Sequence, residues 1–231
     1  MTARIITCAN QKGGSGKTTL AMQLAGTLGE RGHRVLVVDA DPQASSQRWC
    51  SAAPDDEPFP ALVSGMTEAG AKVHREVAKF VELYDFIVID CPPAVESHAT
   101  QSALMASDIV LVPIIPSPAD LWAAAGIRKL IENVTETVNE SLQAFLVPNM
   151  VQPNTTINKD VIELLGSFGI PLLGGGLRLR TAYRQAAALG TIVQRLGSDA
   201  ALAVQEINAL TDAVLHALAK QPVAQKAGDK T

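Results

Sequence analysis

The sequence predicts an α/β protein with a doubly wound, mostly parallel central sheet flanked by helices, and three observations carry that reading. Four apolar runs, at 4–9, 34–39, 86–90 and 109–115, lack the polar alternation of a half-exposed strand. Helical patterns follow them, so β and α elements alternate along the chain. A glycine-rich stretch, QKGGSGKTT at 11–19, falls between the first run and the first helix, the place where such sheets collect anionic ligands.

The elements follow in order. In the first helix Leu20, Leu24 and Leu28 recur every four residues on one face, and Gly32 stands where the helix must end before the second strand. Residues 53–60 hold three prolines and read as a loop; 61–83 read as a short strand and a helix. After the 109–115 strand, Ser117, Pro118 and Asp120 form a start resembling a capping box. The serine accepts from exposed backbone amides and the proline takes the first helical position, where no donor is required. A long helix to about residue 139 follows. Residues 144–151 then read as a strand, 158–168 as a helix, and 170–173 as a short strand ending in Gly174, Gly175 and Gly176. Ser198 is placed to cap a last helix that carries Ile207, Leu210, Val214 and Leu218 on one stripe. The sequence contains no internal repeat, so residues 1–219 are expected to form one domain and 220–231 a flexible tail.

A chain of 231 residues fits a single sizeable core. Nineteen Lys and Arg against 23 Asp and Glu give a net charge of -4, so the molecule as a whole is not a basic nucleic-acid coat and any anion binding must be local. No apolar run approaches the ~20 residues that span a bilayer, and no charged-then-apolar leader precedes Ile5; a soluble, cytoplasmic protein is expected. Cys8, Cys50 and Cys91 are scattered without metal-ligand spacing and read as reduced thiols.

The glycine-rich stretch is the most informative segment. Gly13, Gly14 and Gly16, with Ser15 between them, let successive backbone amides approach a polyphosphate while the next helix offers its positive end. Lys17 is placed to reach the β and γ phosphates, the Thr18 hydroxyl to ligate Mg²⁺, and Thr19 to bond a phosphate oxygen. ATP with Mg²⁺ is the expected ligand pair. Gln11 stands where the usual phosphate loop has a glycine, and Lys12 is a second lysine with no fixed counterpart there.

KGGSGKT resembles the deviant Walker A motif of the ParA/MinD family of partitioning and positioning ATPases, whose additional lysine corresponds to Lys12. VLVVDADPQAS at 35–45 resembles the family's second motif, and FIVIDCPP at 86–93 its Walker B strand. IIPSPADLWAAAG at 114–126 resembles the short plasmid ParA and ParF-like branch. The resemblance implies a P-loop NTPase fold and a slow ATPase. Lys12 would cross a nucleotide sandwich homodimer to the partner's phosphates, unless it is only a solvated loop residue. Asp41 would orient the attacking water and Asp90 would hold Mg²⁺ through a water; the plainer reading of each is a cap for the following helix. Asn149 falls where family members offer an amide to adenine, and equally reads as a turn residue.

Residues 171–197 include Arg178, Arg180, Arg184 and Arg195 and no acidic residue. A dimer would present about eight such cations to phosphates, so nonspecific double-stranded DNA is the matching partner. Pairing with acidic neighbours is the competing use of these arginines. The resemblance adds a ParB-like or other cargo adaptor that stimulates hydrolysis, with residence on the nucleoid in the ATP state. A MinD-like membrane ATPase fits poorly, because the tail QPVAQKAGDKT lacks an amphipathic pattern; no membrane partner is expected. A metabolic ATP-dependent ligase resembling dethiobiotin synthetase is the alternative from another class.

Overall fold

The computed structural model describes residues 2–94, 97–152, 165, 168–174 and 176–220. Its elements in chain order are β1 (Arg4–Cys8), α1 (Lys17–Glu30), β2 (Val35–Asp39), α2 (Ser45–Ser51), β3 (Leu62–Gly65), α3 (Val73–Ala78), β4 (Phe86–Asp90), α4 (His98–Ala106), β5 (Ile109–Ile114), α5 (Pro118–Thr137), β6 (Gln143–Pro148), α6 (Thr181–Ala188) and α7 (Ala201–Ala219). The predicted helix at 158–168 falls almost wholly outside the described residues, as do Gly175 and residues 221–231 of the expected tail.

The strands pair in the order β3-β2-β4-β1-β5-β6, all parallel. Parallel sheets are covered on both faces, and here alternate residues of each strand feed two cores. Ile6, Cys8, Val37, Val88 and Leu111 join the core with α1 and α7; Ile5, Leu36, Val38, Ile87, Ile89 and Val110 join the core with α3, α4 and α5. The continuous apolar runs follow from this double coverage. The chain leaves β1 toward β2 on one side and leaves β4 toward β5 on the other, so loops diverge above β1 and β4. Register then aligns Cys8, Asp39 and Asp90 at the carboxyl ends of their strands.

α1 is more enclosed than its leucine spacing implies: residues 20–28 are all buried, because α7 and the 191–195 segment cover the face that would otherwise meet water. Two buried polar side chains on that face anchor the segment. Gln23 Oε1 accepts the Val193 N–H at 3.0 Å, and Gln194 Nε2 donates to Thr27 Oγ1 at 2.7 Å. The helix ends as expected at Gly32, whose φ of +85° suits glycine. The His33 amide donates to the Leu28 carbonyl at 3.2 Å and the Gly32 amide to Gly29 at 2.9 Å, a Schellman closure.

The Ser117 cap of α5 forms as predicted, with Ser117 Oγ accepting the Asp120 amide at 3.2 Å and Pro118 in the first turn. Two expectations need correction. Residues 170–173 do not form a strand; they meet β6 through the isolated bridge Leu146–Leu172, and a second bridge joins Val151 and Arg178. The left-handed Gly174 and Gly176 bend the chain away between the bridges and break the ladder. Ser198 does not cap the last helix: it opens a 3-10 turn, Ser198–Ala200, that leads into α7 with no side-chain cap. Three helices, α2, α4 and α6, are not evident in the sequence pattern. Among the described residues, no helix is long and apolar enough to cross a membrane.

Candidate functional site

The glycine-rich segment forms the turn between β1 and α1, and α1 begins at Lys17 itself. Gly16, left-handed at φ +89°, precedes it; a Cβ there would lie 2.1 Å from Asn149 Nδ2. The loop is pinned from both flanks. At the end of β1, Asn10 Nδ2 donates to the Pro113 carbonyl at 2.7 Å, and its Oδ1 accepts the Lys12 amide at 3.1 Å. Beyond β6, Asn149 Nδ2 donates to the Ser15 carbonyl at 2.8 Å, and its Oδ1 accepts the Met150 amide. Asn149, expected at the base, thus has its buried amide engaged with the phosphate loop. Gly13 and Gly14 are exposed at the rim, and a Cβ at either meets no atom within 4 Å, which leaves their amides approachable by phosphate. Ser15 Oγ is buried without a hydrogen-bond partner among the described residues.

Lys17 is 6% exposed, and its ammonium donates to the Lys12 carbonyl at 3.3 Å. Burial pushes its pKa down, opposed by the nearby Asp90 and Asp41 carboxylates. Asp90, fully buried, is pushed up to about 7 by desolvation, against hydrogen bonds from the Thr18 and Ser46 hydroxyls. Ser46 Oγ donates to Asp90 Oδ2 at 2.8 Å, while Oδ1 has no hydrogen-bond partner among the described residues. A divalent cation fits this donor set: one hydroxyl from the loop, one buried carboxylate with an idle oxygen. Thr19, one residue on, is half-buried.

Two further carboxylates come from the β2–α2 connection. Asp39 takes the Asp41 amide at 3.2 Å and the Gln47 amide at 3.0 Å, so Asp39 ties strand end to helix start. Asp41 Oδ1 accepts the Gln43 amide at 2.9 Å, a turn-forming bond that leaves a carboxylate beside Lys17. Ser46 escaped sequence reasoning; only the parallel register of β2 and β4 brings it to Asp90. The Cys91 thiol, buried behind the site beside Asp90, is pushed up to about 12, mainly by burial, and stays unreactive.

Lys12 points elsewhere. Its ammonium lies 2.8 Å from Oδ2 of Asp120, in the first turn of α5, with 38% of the lysine side chain but only 4% of the aspartate exposed. The four arginines differ in their partners. Arg180 makes a bidentate pair with Glu206, at 2.6 Å and 3.0 Å. Arg195 pairs with Glu30 and donates to the Pro58 carbonyl at 2.9 Å, at the far end of α1 from the loop, roughly 20 Å away at 1.5 Å rise per residue. The partners lie outside the 171–197 window, which is why that stretch looks unopposed. Arg178 is 54% exposed, with Glu206 at 3.7 Å, and Arg184 is exposed without an ion pair among the described residues.

The profile of a family described as the CobQ/CobB/MinD/ParA nucleotide binding domain matches residues 6–201. Maintenance of carboxysome distribution protein A of Halothiobacillus neapolitanus is 34% identical over 209 residues, 90% of this chain and 94% of that protein. Among solved structures, apo McdA from Cyanthece superposes with a TM-score of 0.78 at 17% identity, covering 94% of this chain and 99% of that one. Cobyrinic acid a,c-diamide synthase from Mycobacterium smegmatis, with bound ADP and magnesium, gives a TM-score of 0.65 at 25% identity, covering 81% and 91%.

Proposed function

Because the chain belongs to the CobQ/CobB/MinD/ParA nucleotide-binding family, we propose that it is a Mg²⁺-dependent ATPase whose ATP-bound form is a sandwich dimer that grips nonspecific DNA and positions a cargo. The observation that carries this reading is the division of labour between two lysines in one loop. Lys17 is buried at the start of α1, where its ammonium donates to the Lys12 carbonyl, and Lys12 has its own ammonium on Asp120. A cation held at the rim suits delivery to a second copy.

Within each subunit, the amides of residues 13–16 and the Lys17 ammonium bind the β and γ phosphates, and Thr19 adds a hydrogen bond. Thr18 and, through a water, Asp90 would hold Mg²⁺, which would supply neutralisation of phosphate charge. Asp41 orients the attacking water, and Lys12 of the partner subunit compensates charge that grows on the terminal phosphoryl group. Asn149 keeps the loop in place and borders the base. Hydrolysis is slow until a cargo-bound, ParB-like adaptor improves the alignment of Asp41 and Lys12. The relative named for carboxysome distribution supports a large intracellular assembly as cargo, and binding to nonspecific DNA would make the nucleoid the track. The 1–219 segment acts as one ATPase domain.

The burial of Asp90 makes metal binding pH-dependent. A proton competes with the cation below about pH 7, so the Mg²⁺ needed for half-maximal ATP binding should rise up to tenfold per pH unit on going from 7 to 6. An ordinary carboxylate would leave only the smaller change that protonation of the terminal phosphate itself imposes over that range. Titrating Mg²⁺ against a fluorescent ATP analogue at several pH values decides between them.

DNA retention tests the wider reading. The protein should hold duplex DNA with ATP and not with ADP. Arg178 and Arg184 are the cations best placed to reach phosphates, four per dimer, so affinity should fall roughly 10²-fold between about 50 and 200 mM salt. Replacing both with alanine should abolish most of that salt dependence and leave ATP binding intact. Equal DNA affinity with ATP and ADP would remove the nucleotide switch, and no affinity in either state would favour a small-molecule ligase.

A further inference from the structure

Lys12 is held twice on its own chain. Its ammonium sits 2.8 Å from Asp120 Oδ2, and its carbonyl accepts the Lys17 ammonium. Asp120 is enclosed: the Ser117 hydroxyl donates to the same Oδ2, and Oδ1 is buried with no hydrogen-bond partner among the described residues. Among the described residues Lys12 is the one cation paired with this carboxylate. Withdrawing it leaves a buried charge uncompensated, which resists the withdrawal.

We infer that Asp120 is a positioning residue that holds Lys12 on its own subunit as a cis counter-ion, and thereby sets how much ATP is needed to close the dimer. The inference rests on the reading that Lys12 serves a second copy. Coupling to nucleotide follows from the loop. Lys17 cannot serve both the Lys12 carbonyl and a terminal phosphate, so its turn toward phosphate frees the backbone that sets Lys12 beside Asp120. While the pair holds, each subunit presents a neutralised pair instead of a cation, and two copies have nothing to exchange. Asp120 therefore guards against closure on an empty site.

Asp120→Asn is nearly isosteric and keeps an oxygen for Ser117 while removing the charge. Titrated with a nonhydrolysable ATP analogue and followed by light scattering, this variant should dimerise at roughly tenfold lower analogue concentration than the parent, the equilibrium value of one charge-assisted hydrogen bond. KM for ATP hydrolysis should fall with it, with kcat changing far less. Asp120→Asn added to Lys12→Ala should not restore closure. An unchanged or higher closing concentration overturns the inference, and so does restored closure in the double variant, which would mean that Asp120 acts without Lys12. Should the asparagine variant not fold, Asp120→Ser carries the same test. A parent protein that stays monomeric, or a Lys12→Ala variant that closes normally, would instead remove the underlying dimer reading.

Discussion

Lys17→Ala should lower the affinity for both ATP and ADP by at least roughly 10²-fold, the consequence of deleting one partner of a desolvated, hydrogen-bonded charge pair. Lys17 is nearly buried at the first position of α1, and its surroundings explain why no other side chain substitutes. The carboxylates of Asp90 and Asp41 lie close enough to oppose the loss of its charge, while Lys12, the next cation along the loop, is drawn off to α5. Without Lys17 those carboxylates face the incoming phosphates unscreened. Isothermal titration with each nucleotide measures the effect, and near-parental affinity would show that the phosphates sit elsewhere.

Lys12→Ala should separate binding from closure. Each subunit keeps its own phosphate seat, so ADP affinity should stay within a few-fold of the parent. The ATP-dependent dimer should be lost, and turnover should fall by roughly 10³-fold, the scale on which a cation supplied across an interface accelerates phosphoryl transfer. Asp120 loses its cation in this variant, so the folded fraction is measured alongside by thermal unfolding. Turnover and dimer mass equal to the parent's would contradict the exchange of lysines between subunits.

These expectations draw on features legible in the sequence to very different degrees. The β1, β2, β4 and β5 runs were readable because both faces of each strand are covered, which leaves continuous apolar letters; α5 was readable from Ser117 and Pro118. The short helices α2 and α4 were not, since SSQRWCS and HATQSALMA carry mixed patterns and owe their shape to the strands they join. The residues at 170–173 have strand-like composition, yet left-handed glycines beside them break the pairing with β6. In the site, the letters of the glycine-rich loop single out Lys17 and Thr18, and the fold places both at the start of α1 near Asp90.

What holds the loop was hidden. Asn10 reaches Pro113 across 103 positions and Asn149 reaches Ser15 across 134, contacts that no local pattern encodes. The arginine-rich window looks unopposed for the same reason. Glu206 and Glu30, which lie outside it, neutralise Arg180 and Arg195, and only the fold brings them there. Lys12 is the intermediate case: its oddity stood out in the motif, but its pairing with Asp120 depends on β1 and β5 being neighbours in the sheet.

Nucleotide-dependent closure of two subunits is tested most directly by the mass of the particle in solution. Multi-angle light scattering should give 24.3 kDa with ADP and about twice that value with Mg²⁺ and a saturating nonhydrolysable ATP analogue. A particle that keeps the monomer mass with the analogue bound would contradict it.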